Sequence, residues 1–149
     1  MRATRHHQRQ NVDRFLIKRT DGRVIHRADY KVDERAADTG NLAFEDISVE
    51  RDNRVMAKGW IHTTISDLVI FYVPPRDEAY VFEVAVLRRI WDDLLRLFPV
   101  KPTGTQSTRP YRTWNCCVPI AWLRQNKVWK YHLLAVGSQL RLPLTATRP

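Results

Sequence analysis

At 149 residues, 44% hydrophobic and 28% charged, the chain is the size of one globular domain with a real core. Its formal net charge is +9, and it is unevenly placed: all 16 acidic residues lie at or before Asp93, so the basic excess falls in the last third, from Arg96 to Arg148. That end points to a polyanion partner, DNA or RNA, while the lack of a long apolar run excludes a membrane span and a secretory leader.

Residues 1–12 form a basic arm containing Arg2, Arg5, His6, His7 and Arg9. Two β-type runs follow, residues 14–18 and 24–31, separated by Thr20-Asp21-Gly22. A three-residue loop with Gly last suits a hairpin with a G1 bulge. That odd loop sets Asp13 opposite Asp29, on one face with Lys31; a two-residue loop would turn Asp13 to the other face. Two carboxylates and a lysine on one face suit metal-assisted phosphodiester hydrolysis.

Residues 32–41 read as a polar loop ending in the turn signal Thr39-Gly40-Asn41. Residues 42–47 read as a strand in which Glu45 alternates with Ala43 and opposes Phe44; its carboxylate is either a further site acid or a solvent-facing strand residue. Residues 48–59 read as a charged loop. Trp60 suits base stacking or the core, the hydroxyls of Thr63 and Thr64 suit phosphate oxygens, and Asp67 suits a cap at the head of the next strand. Residues 68–73 are the best buried strand, bounded by Pro74-Pro75, and residues 79–83 return as the next.

The spacing of Leu87, Ile90, Trp91, Leu94, Leu95 and Phe98 predicts one amphipathic helix over residues 84–98. Residues 100–110 read as a Pro/Gly/Thr/Ser linker able to contact substrate, residues 111–118 as an edge strand, and residues 120–125 as a short closing helix after Pro119. Adjacent Cys116 and Cys117 point to opposite faces of a strand, one buried and one outward, which suits reduced cytoplasmic thiols over a disulfide. Lys127, Trp129, Lys130 and Tyr131 interleave charge with aromatic rings, as nucleic-acid binding or an extra edge strand would. The end of the chain reads as loose.

Asp29-Tyr30-Lys31, continued by DERAADTGNLAFE over residues 33–45, resembles the PD-(D/E)XK nuclease superfamily, and most closely its small phage-type, Holliday-junction-resolvase-like members. Those carry a carboxylate-x-lysine strand, an R-A-x-x-T-G-N loop and then a strand with an acidic residue. Residues 59–67 and Val118-Pro119-Ile120 look like their later segments, so the resemblance covers roughly residues 13–126, leaving 127–149 as a basic and aromatic extension. It implies an α/β (α+β), restriction-endonuclease-like domain: a mixed sheet of four to five strands with a central hairpin and flanking helices.

The resemblance further implies a DNA endonuclease using Mg²⁺ or Mn²⁺. Asp13, Asp29 and the Tyr30 carbonyl would hold the metal, Lys31 would position the attacking water, and Glu45 would be an accessory acid. Arg35, Thr39 and Asn41 would hold phosphate, with Thr63, Thr64, Lys127 and Lys130 as further nucleic-acid contacts. By analogy such a nuclease works as a homodimer in the cytoplasm, the host's if it is phage-encoded. The sequence departs from the superfamily in lacking an acidic first helix, because residues 1–12 contain no acid. That departure suits two other readings: an inactive relative that only binds nucleic acid or a partner protein, and a structural or assembly protein.

Overall fold

Period-two patterning on either side of Asp21 gives β1 (Arg14–Ile17) and β2 (Val24–Val32), paired antiparallel. The computed structural model describes residues 14–17, 21, 23–103 and 111–134. Arg14 pairs with Ala28 and Phe15 with Arg27, the register that the odd loop predicts; the ladder slips by one residue between Leu16 and Ile17, near the turn. Asp13, His6, His7 and the chain end after residue 134 lie outside the described residues.

The expected single sheet is corrected to two. The first has five described strands in the order β1-β2-β5-β6-β9, adding β5 (Leu68–Val73), β6 (Glu78–Glu83) and β9 (Tyr131–Leu134). β5 runs parallel to β2, so residues 33–67 form the crossover between them. The second has the order β4-β3-β8-β7, from β3 (Asn41–Arg51), β4 (Arg54–Lys58), β7 (Val100–Thr103) and β8 (Arg112–Pro119). The molecule is therefore mixed α+β, and β9 makes part of the supposed C-terminal extension an edge of the first sheet.

Three local readings change with it. Residues 48–59 are not a loop: β3 runs on to Arg51 and returns as β4 through Asp52-Asn53, at φ of 51° and 59°. Positive φ at both central positions is what a tight type I′ hairpin turn needs, and Asp and Asn accept it. The linker begins instead as β7, where Pro102 is tolerated because β7 is an edge. β8 is then not an edge strand but lies between β3 and β7.

The helices are short: α1 (Ala36–Thr39), α2 (Trp60–Thr63), α3 (Val84–Arg89), α4 (Trp91–Leu97) and α5 (Ile120–Gln125), the last with the predicted bounds. The single helix expected over residues 84–98 breaks at Ile90, at φ −100° and ψ 6°. Arg88 and Arg89 close α3 and Asp92 and Asp93 open α4, so each new terminus carries the charge that its helix dipole favours.

The main core lies between the sheets. Val69, Phe71, Tyr80 and Phe82 of the first meet Leu42, Phe44, Cys116 and Val118 of the second, with Leu87, Trp91, Leu94 and Leu123 from the helices. Phe44 is its hub, with ring centroids 5.0 Å from Phe71 and 5.6 Å from Phe82, both edge-to-face. Each such pair adds about 1 kcal/mol beyond area burial. A smaller cluster of Ala28, Leu68, Ile70, Ala79 and Val81 is buried on the other face of the first sheet.

Candidate functional site

Period two along β2 puts Asp29 and Lys31 on the same face. The parallel register sets them beside Val69 and Phe71, the core-facing residues of β5. Asp29 is therefore buried, 2% exposed, at the margin of the core. A carboxylate there needs a compensating charge, and the Lys31 Nζ lies 2.9 Å from its Oδ2. The amine also lies 5.5 Å from the centre of the Trp60 ring, which holds it on a second side. Trp60 is itself buried in the core.

Lys31 opens onto a cleft of about 690 Å³ that also takes in Asp33, Arg35, Thr39, Asn41 and Glu45. Alternation in β3 explains the far wall: Leu42 and Phe44 face the core, so Ala43 and Glu45 face the cleft. Lys31, the loop residues Arg35, Thr39 and Asn41, and Glu45 of the next strand thus share one concavity, while Asp29 lies behind Lys31 and is not among its lining residues. Asp13, the other proposed metal ligand, lies outside the described residues, and so does its geometry toward Asp29.

The acids of the cleft are not equivalent. Asp33 accepts the Ala36 amide on Oδ1 and the Ala43 amide on Oδ2, both at 3.1 Å, fastening the start of α1 to β3. Its oxygens serve the backbone. Glu45 accepts the Trp60 amide on Oε1 at 3.2 Å.

The Thr39-Gly40-Asn41 turn is also self-bonded. The Thr39 hydroxyl donates to the Arg35 carbonyl at 2.9 Å and accepts the Asn41 amide at 3.2 Å, and Gly40 closes α1 at φ 69°. Thr39 therefore shapes the loop that presents Arg35 and Asn41.

Other predicted contacts lie elsewhere. Thr64 is buried, its Oγ1 accepting the Ser66 amide at 3.1 Å, and Thr63 donates to the Gly59 carbonyl at 3.3 Å. Neither lines the cleft. Lys130 is ion-paired to Glu83, and Trp129 packs on Tyr80 with centroids 5.2 Å apart; exposed Lys127 follows α5. Both thiols are free, Cys116 in the core and Cys117 on the cleft wall. Burial raises both, Cys116 to about 11, so neither is a poised nucleophile.

Sequence reasoning missed the wall that β7 and β8 contribute. Lys101 is paired in register with Asn115, and Asn115 with Glu45, so all three reach one surface. The only sequence signal was the alternation through Asn115-Cys116-Cys117-Val118, which reads equally well for an edge strand.

Among the described residues no group of three or more His, Cys, Asp or Glu side chains is placed to hold a metal ion, and no helix is long and apolar enough to cross a membrane. No family model, curated protein or solved structure matches the chain.

Proposed function

We propose that the chain is a metal-dependent DNA endonuclease that hydrolyses phosphodiester bonds in the Lys31 cleft. One observation carries the reading: Lys31, paired at 2.9 Å to the buried Asp29 carboxylate behind it, opens onto the concavity that holds Glu45, Arg35 and Asn41. The donor set suits a hard divalent ion, with Asp29, Asp13 and the Tyr30 carbonyl as ligands and Glu45 as accessory. Bound there, Mg²⁺ or Mn²⁺ would polarise the phosphate and acidify a water molecule. Lys31 orients the attacking water and offsets the charge that builds on the pentavalent phosphorus centre. Arg35 and Asn41 hold phosphate oxygens, and Lys101 meets the strand from the opposite wall.

Purified protein is expected to cut DNA with Mg²⁺ or Mn²⁺ and to fail with chelator. Lys31→Ala lowers the cleavage rate by at least about 10²-fold and leaves DNA affinity in place. Cutting that survives this substitution refutes the assignment.

A binding-only reading is favoured by a different aspect of the same pair: the Asp29 charge is already met by Lys31. Calorimetry separates the two. Uptake of Mg²⁺ or Mn²⁺ that is lost in Asp29→Asn supports the nuclease; no uptake by the wild-type protein, together with retained DNA binding, supports the binding module.

A further inference from the structure

Beyond Glu45, the β3–β4 hairpin contributes no residue to the cleft lining or to the buried core. All five residues of β4 are exposed, Val55 at 54% and Met56 at 65%. β4 is the outermost strand of its sheet, with no described strand on its far side. An exposed edge carrying two large apolar side chains needs a reason.

Charge supplies one. Arg51 and Arg54 are direct cross-strand partners beside the Asp52-Asn53 turn. Residues so paired share a face, and like charges directly opposite repel. Lys58 adds a cation farther along β4. Of the nearby acids, Glu50 stands in register with Val55 on one side and Arg112 of β8 on the other, and Asp52 sits in the turn itself. Among the described residues no carboxylate forms an ion pair with Arg51, Arg54 or Lys58. An arginine pair that no carboxylate bridges is relieved by an anion between the guanidinium groups.

We infer that the β3–β4 hairpin is a DNA-contacting arm that enters a groove of duplex DNA, with Arg51 and Arg54 on phosphates and the exposed β4 strand against the groove. A two-stranded ribbon fits the major groove, and exposed apolar side chains on such arms pack against bases and sugars. The choice of DNA rests on the endonuclease reading; the arm itself rests on the arginine pair and the bare edge. A second copy joined edge to edge through β4 fits less well, because antiparallel self-pairing centred on Met56 sets Arg54 against Lys58.

The test measures affinity for a labelled duplex over a range of salt concentrations, in chelator so that no cutting occurs. Removing both cations, Arg51→Ala with Arg54→Ala, should lower the slope of log affinity against log salt by about 2. Arg54→Glu replaces a repulsive cross-strand pair with an attractive one. It should leave the melting temperature unchanged or raised and still weaken DNA binding by on the order of tenfold; a merely structural role would move both the same way. Unchanged slope and affinity overturn the arm, as does a wild-type protein that binds no duplex. Sedimentation in which Arg54→Glu changes the subunit number assigns the edge to self-association and overturns it too. A parallel cleavage assay with Mg²⁺ keeps the readings apart: binding with the predicted slope change but no cutting sinks the nuclease and leaves the arm standing.

Discussion

A β-carbon built on Gly59 would lie 2.0 Å from the Glu45 carbonyl oxygen and 2.7 Å from the Asp46 carbonyl carbon. The main chains meet there because the Gly59 amide donates to the Asp46 carbonyl at 2.7 Å. That contact sets Trp60 against Glu45, and so fixes one wall of the cleft. Gly59→Ala must push backbone, not a pliable side chain, and is expected to cost about 3 kcal/mol or more. Urea unfolding measures it, and an unchanged midpoint would disprove the close approach. At this scale the sequence is legible where alternation decides: Asp29 and Lys31 share a face, and Glu45 opposes Phe44. It is silent on whose hydrogen bonds are already committed. Asp33 and Glu45 are both acids of the cleft, yet both oxygens of the first accept backbone amides, whereas Glu45 accepts the Trp60 amide on Oε1 alone.

Among the elements, the parallel pairing of β2 with β5 decides where Asp29 and Lys31 stand, and Asp67 pins its register. The Asp67 amide donates to the Arg27 carbonyl at 2.9 Å, while Oδ2 of its carboxylate accepts the Arg27 amide at 2.7 Å. The guanidinium adds a hydrogen bond to Oδ1 at 2.9 Å. That side-chain hydrogen bond holds the carboxyl below its ordinary range; burial opposes the shift, and the Arg27 amide and charge reinforce it. A carboxyl depressed in the folded state stabilises the fold above its unfolded pKa of about 4, and this contribution is lost as pH falls through the folded value. Asp67→Asn should therefore lose less stability than the wild-type protein between neutral and acid pH, as read from urea midpoints; parallel curves would remove the role. Reading Asp67 as a residue at the head of a strand was sound, because polar residues there have orphan backbone groups to satisfy. The β3–β4 hairpin was not legible for a converse reason. A strand exposed on both faces has no apolar alternation to show, and its turn is made by Asp52-Asn53 without glycine. The break at Ile90 was masked by the apolar stripe, although the Arg-Arg and Asp-Asp pairs flanking it carried the sign of two helix ends.

For the molecule as a whole, the cleft depends on elements far apart in sequence, with Lys31 on one sheet and Lys101 on the other. Lys101 carries no carboxylate partner among the described residues, and it is exposed at the cleft. Lys101→Ala should reduce the salt slope of DNA binding by about 1 and weaken affinity at low salt, with no change in melting temperature. An unchanged slope would place the bound strand elsewhere. Composition foretold a basic surface, but not that Lys101 belongs to the same wall as Glu45. Only the pairing of β7 with β8 and of β8 with β3 establishes that, and such long-range pairings leave no local trace.

The described strands are dealt to the two sheets in turn: β1 and β2 to the first, β3 and β4 to the second, β5 and β6 to the first, β7 and β8 to the second, β9 back to the first. Neither sheet is finished until nearly the whole chain has emerged, and no cut separates one from the other. Assembly then waits on contacts between distant segments, which is slow, and loss of structure runs through both layers in a single cooperative step. A fragment carrying the lysine strand alone would have nothing to fold against.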